Sequence, residues 1–316
     1  MSFNKKNHFS TAIIGSGPAG LTAAIYLGRS KVDTIVFEKF LPGGYVVNIH
    51  NIENYPGFPE GISGIDLGKL YHQHAQKFGA IIKNEEVKKI ILEEKPFIIE
   101  TSISSYTSLT LILSMGTSFK KLGVPGEEEF IHKGISFCAT CDAPLFEGEN
   151  VVVIGAGNSG LQESLYISRF AKHITIIEKL EYPTGEKILI DRVKYNKKIE
   201  LLLSHSVIRF IGDEMLSGVE VKDLKKGKIK FLEAKGAFIY VGEVPNSELV
   251  KGLLELDENG FILTDQYMRT SFPGVFAIGN VRTTPLRQIA TAIGDGAIGA
   301  KEVYKFLETL EAKNEY

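Results

Sequence analysis

Apolar positions along the chain fall into two kinds of run. Short, almost unbroken ones, Thr11-Ala-Ile-Ile14, Thr34-Ile-Val-Phe37, Val151-Val-Val-Ile154 and Ile174-Thr-Ile-Ile177, read as buried strands. Longer stretches from Leu21 to Gly28 and from Leu161 to Phe170 carry helical spacing. Strand, glycine-rich turn, helix and strand thus follow one another twice, the order of a βαβ unit. A last helical pattern opens at Arg287-Gln288-Ile289, and Gly227 marks a hairpin. The longest apolar run, Leu109-Thr-Leu-Ile-Leu113, is far shorter than the roughly 18–20 residues of a spanning helix. Ala12-Ile13-Ile14 is likewise too short for the core of a secretory signal. No membrane partner is expected, and a cytoplasmic location follows.

The two units are copies of one device. Gly15, Gly17 and Gly20 map onto Gly155, Gly157 and Gly160 with an offset of 140, and the same offset carries Glu38 onto Glu178. In a dinucleotide-binding fingerprint the first glycine permits the tight turn, the second lets the backbone approach a pyrophosphate, and the third lets the helix pack closely on the strand. The helix start offers unpaired N–H groups to phosphate, and an acid ending the second strand can accept from a ribose hydroxyl.

Composition narrows the field further. The chain has 316 residues, 44% hydrophobic and 23% charged, with a net charge of −2. That balance suits one large or two medium α/β domains and excludes disordered, collagen-like and coiled-coil classes. A near-neutral chain lacks the basic footprint of nucleic-acid binding, so no nucleic-acid partner is expected. Glycine is frequent, 32 residues, but there are only two cysteines, Cys138 and Cys141. Their Cys-x-x-Cys spacing suits a redox dithiol with a lowered thiol pKa. Zinc would need two more ligands, and no His-x-x-x-His accompanies the pair, so no metal site is expected. Asp142 follows directly and can move the protons of dithiol chemistry, although an aspartate before Pro144 also suits a turn.

Two dinucleotide folds bracketing Cys-Ala-Thr-Cys-Asp (138–142) resemble the low-molecular-weight thioredoxin reductases. Further landmarks are Gly-Ser-Gly-Pro-Ala-Gly (15–20), Pro-Gly-Gly (42–44), Glu53-Asn54-Tyr55-Pro56-Gly57-Phe58-Pro59, Met115-Gly116-Thr117, Gly-Val-Pro-Gly-Glu (123–127), Thr270 to Gly279, and Arg287-Gln288-Ile289-Ala290. The resemblance implies an α/β fold of two Rossmann-like dinucleotide-binding domains, the second inserted in the first. Residues 1–116 and 246–316 would bind FAD, and residues 117–245 would form an NAD(P)-type domain carrying the dithiol. It implies a homodimer, a thioredoxin-like partner, and a domain rotation with hinges near Thr117 and Gly242-Glu243-Val244-Pro245. Carried over by position, Gly15, Gly17, Pro18, Ala19 and Gly20 would hold the FAD pyrophosphate and Glu38 its ribose. Gly43, Gly44 and Asn54 would line the flavin, and Arg287, Gln288 and Ile289 would face its pyrimidine edge. Lys39, Tyr45, Val87, Met115, Gly116, Gly279 and Asn280 complete the expected FAD set. Cys141 would face the flavin, Cys138 would attack the partner disulfide, and Asp142 would handle protons.

One stretch departs from the family. Where the family has His-Arg-Arg-x-x-x-Arg for the 2′-phosphate of NADPH, this chain reads Glu178-Lys179-Leu180-Glu181-Tyr182-Pro183-Thr184. A carboxylate there repels a phosphate and suits a free 2′-OH. The second site, Gly155, Gly157, Gly160 and Glu178, is therefore expected to take NADH, a second FAD, or no dinucleotide. A reduced protein such as ferredoxin is the expected electron donor, ahead of NADH and with NADPH last, as in the ferredoxin-dependent flavin thioredoxin reductases. An acidic ferredoxin would need a basic landing surface, for which Arg192, Lys194, Lys197 and Lys198, or Lys222, Lys225, Lys226, Lys228 and Lys230, are candidates. Tyr45 stands where the family commonly has Gln, and Asn280 where it has Asp. An FAD-dependent dithiol oxidase using oxygen is the alternative function.

Overall fold

In strand His8–Ile14 successive side chains go to opposite faces of a sheet. Ala12 and Ile14 join one apolar cluster with Ile35, Phe37, Leu111 and Leu113, and Ile13 joins another with Val36, Ile112 and Ile278. A strand buried on both faces has this unbroken apolar character. The structure, a computed structural model, describes residues 7–93 and 95–314. The chain divides into two units, Met1–Ser118 with Val244–Tyr316, and Phe119–Glu243. The boundaries expected after residues 116 and 245 each lie two residues from these.

In the first unit the strand order is Ile81–Asn84, Thr34–Glu38, His8–Ile14, Ser105–Leu113, Phe97–Thr101 and Val87–Ile91. On the edge away from His8–Ile14, Ser105–Leu113 is long enough to serve two neighbours. Its first half pairs antiparallel with Phe97–Thr101, and its second half pairs parallel with Val275–Ala277. Pro18 occupies the first turn of helix Pro18–Arg29, where a missing N–H costs no helical bond. Ser63 caps helix Gly64–Lys77 by accepting from the Asp66 N–H. The last helix, Ile289–Asn314, starts after Gln288, whose carbonyl accepts the Ala292 N–H. Its Gly296 lies against the first helix, since a Cβ there would stand 2.4 Å from the Ala19 carbonyl oxygen.

The second unit repeats the plan with a parallel sheet ordered Ile199–Leu202, His173–Ile177, Asn150–Ile154, Gly236–Ile239 and Ile135–Ser136. A three-stranded antiparallel sheet of His205–Gly212, Leu216–Asp223 and Ile229–Glu233 adjoins it in sequence, with Gly227 at φ +69° in the expected hairpin. Helix Asn158–Ile167 ends three residues before the apolar pattern does. There the Ser168 hydroxyl bonds the Leu165 carbonyl and the Phe170 N–H bonds the Ile167 carbonyl, tightening the end into turns.

Glu163, on that helix, is only 7% exposed, and burial pushes its carboxyl up to about 7 from an ordinary 4.5. The folded chain therefore binds this proton more tightly than the unfolded chain. The corresponding stability is present at acid pH and is lost as pH rises through about 7. Glu163→Gln should flatten the pH dependence of urea unfolding over that interval and add roughly 1–3 kcal/mol at pH 8. An unchanged slope in the variant would refute the assignment.

Candidate functional site

The first glycine turn leaves the C-terminal end of His8–Ile14, where Thr34–Glu38 lies on one side and Ser105–Leu113 on the other. Such a reversal of strand order opens a crevice at the strand ends. Gly15 adopts φ +100°, and a Cβ there would stand 2.4 Å from the Ser114 carbonyl oxygen. A Cβ at Gly20 would stand 2.1 Å from the Gly15 oxygen, so only glycine lets the helix begin so close to the strand. At Gly17 the same atom would meet nothing within 4 Å. The helix that starts there has no side-chain cap, which leaves its first N–H groups for an anion.

Distant segments close around that opening. The Gly43 N–H donates to the Ser16 carbonyl at 2.9 Å, a Cβ at Gly44 would stand 2.9 Å from Gly17 Cα, and one at Gly279 would stand 3.0 Å from Ala19 Cβ. Asn54 Nδ2 donates to Gln288 Oε1 at 3.1 Å, joining two motifs 234 positions apart. Arg287 lies over the Phe261 ring at 4.0 Å, and its Nε is buried with no hydrogen-bond partner among the described residues. Open space at Gly17, an uncapped helix start and this orphaned donor fit a bound dinucleotide. Gly116 and Met115 present carbonyls to Asn246, Tyr45 is partly exposed in the turn Gly44–Asn48, and Asn280 sits in the turn Gly279–Val281. Lys39 lies over the Phe40 ring on the surface, and Val87 is a core residue of its strand.

The acids of the two copies make the same pair of backbone bonds, and Glu38 also accepts the Ser16 hydroxyl at 2.8 Å, which Ala156 cannot match. Glu38 Oε2 accepts the Ser16 N–H at 2.9 Å and Oε1 accepts the Phe40 N–H at 3.0 Å. Glu178 Oε2 accepts the Ala156 N–H at 2.8 Å and Oε1 accepts the Leu180 N–H at 3.0 Å. Each carboxylate clamps its glycine turn to the end of its second strand and keeps acceptor capacity for a further donor. The second turn also repeats the steric fit, with Gly155 at φ +103° and a Cβ at Gly160 only 2.0 Å from the Gly155 oxygen. Around Glu178, Leu180 and Tyr182 are exposed, and Glu181 pairs with Lys225 at 3.1 Å.

Cys138 and Cys141 form a disulfide with Cα atoms 5.4 Å apart. Cys138 caps the single turn Ala139–Asp142, and its Sγ accepts the Cys141 N–H at 3.2 Å. The Tyr240 hydroxyl accepts the Ala139 N–H at 3.2 Å. Asp142 is tied in by Ser136, whose hydroxyl donates to Oδ2 at 2.6 Å.

The sequence profile of the pyridine nucleotide-disulphide oxidoreductases matches residues 9–296. The chain belongs to that family. It is 37% identical over 304 residues to the thioredoxin reductase of Listeria innocua, covering 96% of this chain and 95% of that protein. The crystal structure of Lactococcus lactis thioredoxin reductase (FR conformation) superposes with a TM-score of 0.93 at 37% identity, over 95% of this chain and 99% of that one. A ferredoxin-flavin thioredoxin reductase from Clostridium acetobutylicum reaches 0.53 at 28% identity, over 96% of this chain and 99% of that one. Within the family this protein is a thioredoxin reductase-like flavoprotein disulfide reductase.

The sequence reading of this family member missed several groups that hold the site. Asp295 accepts from the Gly279 N–H at 3.0 Å and from Arg282 Nε at 2.8 Å and Nη2 at 2.9 Å, so one nearly buried ion pair fixes the Gly279 turn. An acid among the small residues of Ala292-Ile-Gly-Asp-Gly-Ala297 was the available signal. Ser114 donates to the Gly15 carbonyl at 2.7 Å, a contact no local pattern announces. Among the described residues no group of three or more His, Cys, Asp or Glu is arranged to hold a metal ion, and no helix is long and apolar enough to cross a membrane.

The two glycines of the first turn should respond differently to alanine. Gly17→Ala should fold normally yet lose flavin, with an FAD dissociation constant at least about tenfold weaker, because the methyl stands where phosphate must approach. Gly20→Ala should instead lower thermal stability, because its methyl meets backbone at 2.1 Å. Absorbance-based FAD titration and thermal unfolding would separate the two, and identical behaviour would contradict the geometry.

Proposed function

We propose that this chain reduces a thioredoxin-like protein through Cys138 and Cys141 and draws its electrons from NADH in preference to ferredoxin or NADPH. The disulfide with its adjoining carboxyl carries the first part. In the reduced protein the Cys138 thiolate attacks one sulfur of the partner disulfide. That S–S bond breaks, a mixed disulfide forms, and the other partner sulfur leaves as a thiolate and takes up a proton. Cys141 then attacks Cys138, the Cys138–Cys141 disulfide re-forms, and the partner departs with two thiols and two more electrons. The Cys141 N–H donated to Cys138 Sγ favours the thiolate at Cys138, and Asp142 receives and returns its proton.

FAD, when bound, supplies the two-electron carrier that restores the dithiol. Gly15, Gly17, Pro18, Ala19 and Gly20 would hold its pyrophosphate, Glu38 its ribose, and Gly43, Gly44, Asn54, Gly279 and Asn280 its remainder. The start of helix Ile289–Asn314, with Arg287 and Gln288 before it, would offer partial positive charge where negative charge develops on reduction.

The matching clamps at Glu38 and Glu178 support NADH. A site that repeats the first one's acid and glycine geometry suits another adenosine with a free 2′-OH. Two of the candidate landing lysines, by contrast, have local partners: Lys198 Nζ caps the Ser168 and Ala171 carbonyls, and Lys225 pairs with Glu181. Anaerobic stopped-flow bleaching of the flavin should be fastest with NADH. Equal or faster bleaching by NADPH would sink the charge argument, and bleaching by reduced ferredoxin alone would move the donor to a protein. Cys138→Ser and Cys141→Ser should each lower thioredoxin turnover by at least about a thousandfold with FAD retained. Full turnover in either would overturn the mechanism, and rapid oxygen uptake with a small dithiol would favour an oxidase.

A further inference from the structure

Ser136 ends the two-residue strand Ile135–Ser136 and is 5% exposed. Its hydroxyl lies 2.6 Å from Asp142 Oδ2 and 3.3 Å from the Cys138 carbonyl oxygen, and it accepts the Cys138 N–H at 3.0 Å. A serine hydroxyl has one proton to give and two lone pairs to fill. With Asp142 ionised, the proton goes to the nearer, charged acceptor and one lone pair holds the Cys138 N–H. With Asp142 protonated, its O–H can donate back to Ser136 Oγ, and the serine proton turns to the Cys138 carbonyl. The same three groups satisfy both states. A partly buried carboxyl such as that of Asp142 rarely changes charge without losing a hydrogen bond, and such a loss is costly where water is partly excluded.

We infer that Ser136 is a positioning residue that keeps Asp142 hydrogen-bonded in both protonation states, so that the carboxyl exchanges a proton with Cys138 without changing place. When the thiol gives up its proton, the S–H bond breaks, an O–H bond forms on Asp142, and the sulfur keeps the electron pair. Negative charge passes from carboxylate to sulfur, and the hydroxyl of Ser136 reverses its direction. The inference rests on the reading of Asp142 as the proton carrier. Other ionisable groups on the elements packed against this turn are Glu163 on helix Asn158–Ile167 and Tyr240 just after strand Gly236–Ile239.

Thioredoxin turnover by the FAD-loaded enzyme, followed across pH, tests this. Asp142→Asn should abolish the acid limb of kcat, while Glu163→Gln should leave it in place. Ser136→Ala removes a donor to the charged carboxylate, so it should move that limb up by about one pH unit. It should also lower kcat about tenfold, with KM for thioredoxin within about twofold. Ser136→Thr should restore both, and Ser136→Ala should add nothing to Asp142→Asn. An unmoved limb in Ser136→Ala, with or without loss of kcat, overturns the role of Ser136. A limb that survives Asp142→Asn overturns the proton reading of Asp142 itself. Should the alanine variant fail to fold, Ser136→Thr and Ser136→Val form a matched pair of similar volume, and equal pH profiles in those two would equally refute the inference.

Discussion

Backbone contact between a helix and the end of a strand is the constraint on which both units depend. At Gly20 and Gly160 a single added carbon would lie 2.1 and 2.0 Å from the oxygen of the first glycine in its turn. That contact aims the start of the helix at the crevice beyond the central strand. It also brings Ser16 and Ala156, between the glycines, within reach of an acid from the next strand. The clamp by Glu38 or Glu178 then completes a rigid element in which turn, helix start and acid move as one. Helix dipole, open amides and carboxylate thus converge on one small volume without any long side chain.

Such a device is legible in sequence because its sterics tolerate almost no substitution. Three glycines and an acid at fixed spacing, repeated at one offset, carry the whole βαβ geometry, and the structure follows them to within a few residues. The limits of that reading lie where partners come from elsewhere in the chain. Helix Asn158–Ile167 stops early because Ser168 turns its hydroxyl to a local carbonyl, which apolar spacing does not register. Lys198 looks like part of a basic surface but caps two carbonyls. Asp295 and Arg282, or Ser114 and Gly15, meet only after the C-terminal segment and the long strand have folded back beside the first helix.

The dithiol shows the same division. Cys-x-x-Cys-Asp declares its chemistry locally, yet the groups that set its geometry come from a preceding strand, Ser136, and from Tyr240, a hundred residues further on. A hydroxyl is an economical choice for the first of these. A lysine, which only donates, could hold a carboxylate in one charge state, but a group that both gives and accepts stays paired when the proton arrives.

The proposed preference for NADH in the second unit rests on the clamp as much as on missing arginines. Glu178 is buried, and both its oxygens are bonded to backbone N–H groups. A phosphate on the adjacent ribose would bring further negative charge against it in a setting of low dielectric, where like charges repel strongly. Relief would require the carboxylate to move, which would loosen the Ala156 amide and hence the turn itself. On the proposed reading, discrimination against the extra phosphate would not be a separable surface property of this unit. It would follow from the bond that keeps the glycine turn in shape, and cationic residues added at positions 179 or 180 would have to overcome that bond as well as supply charge.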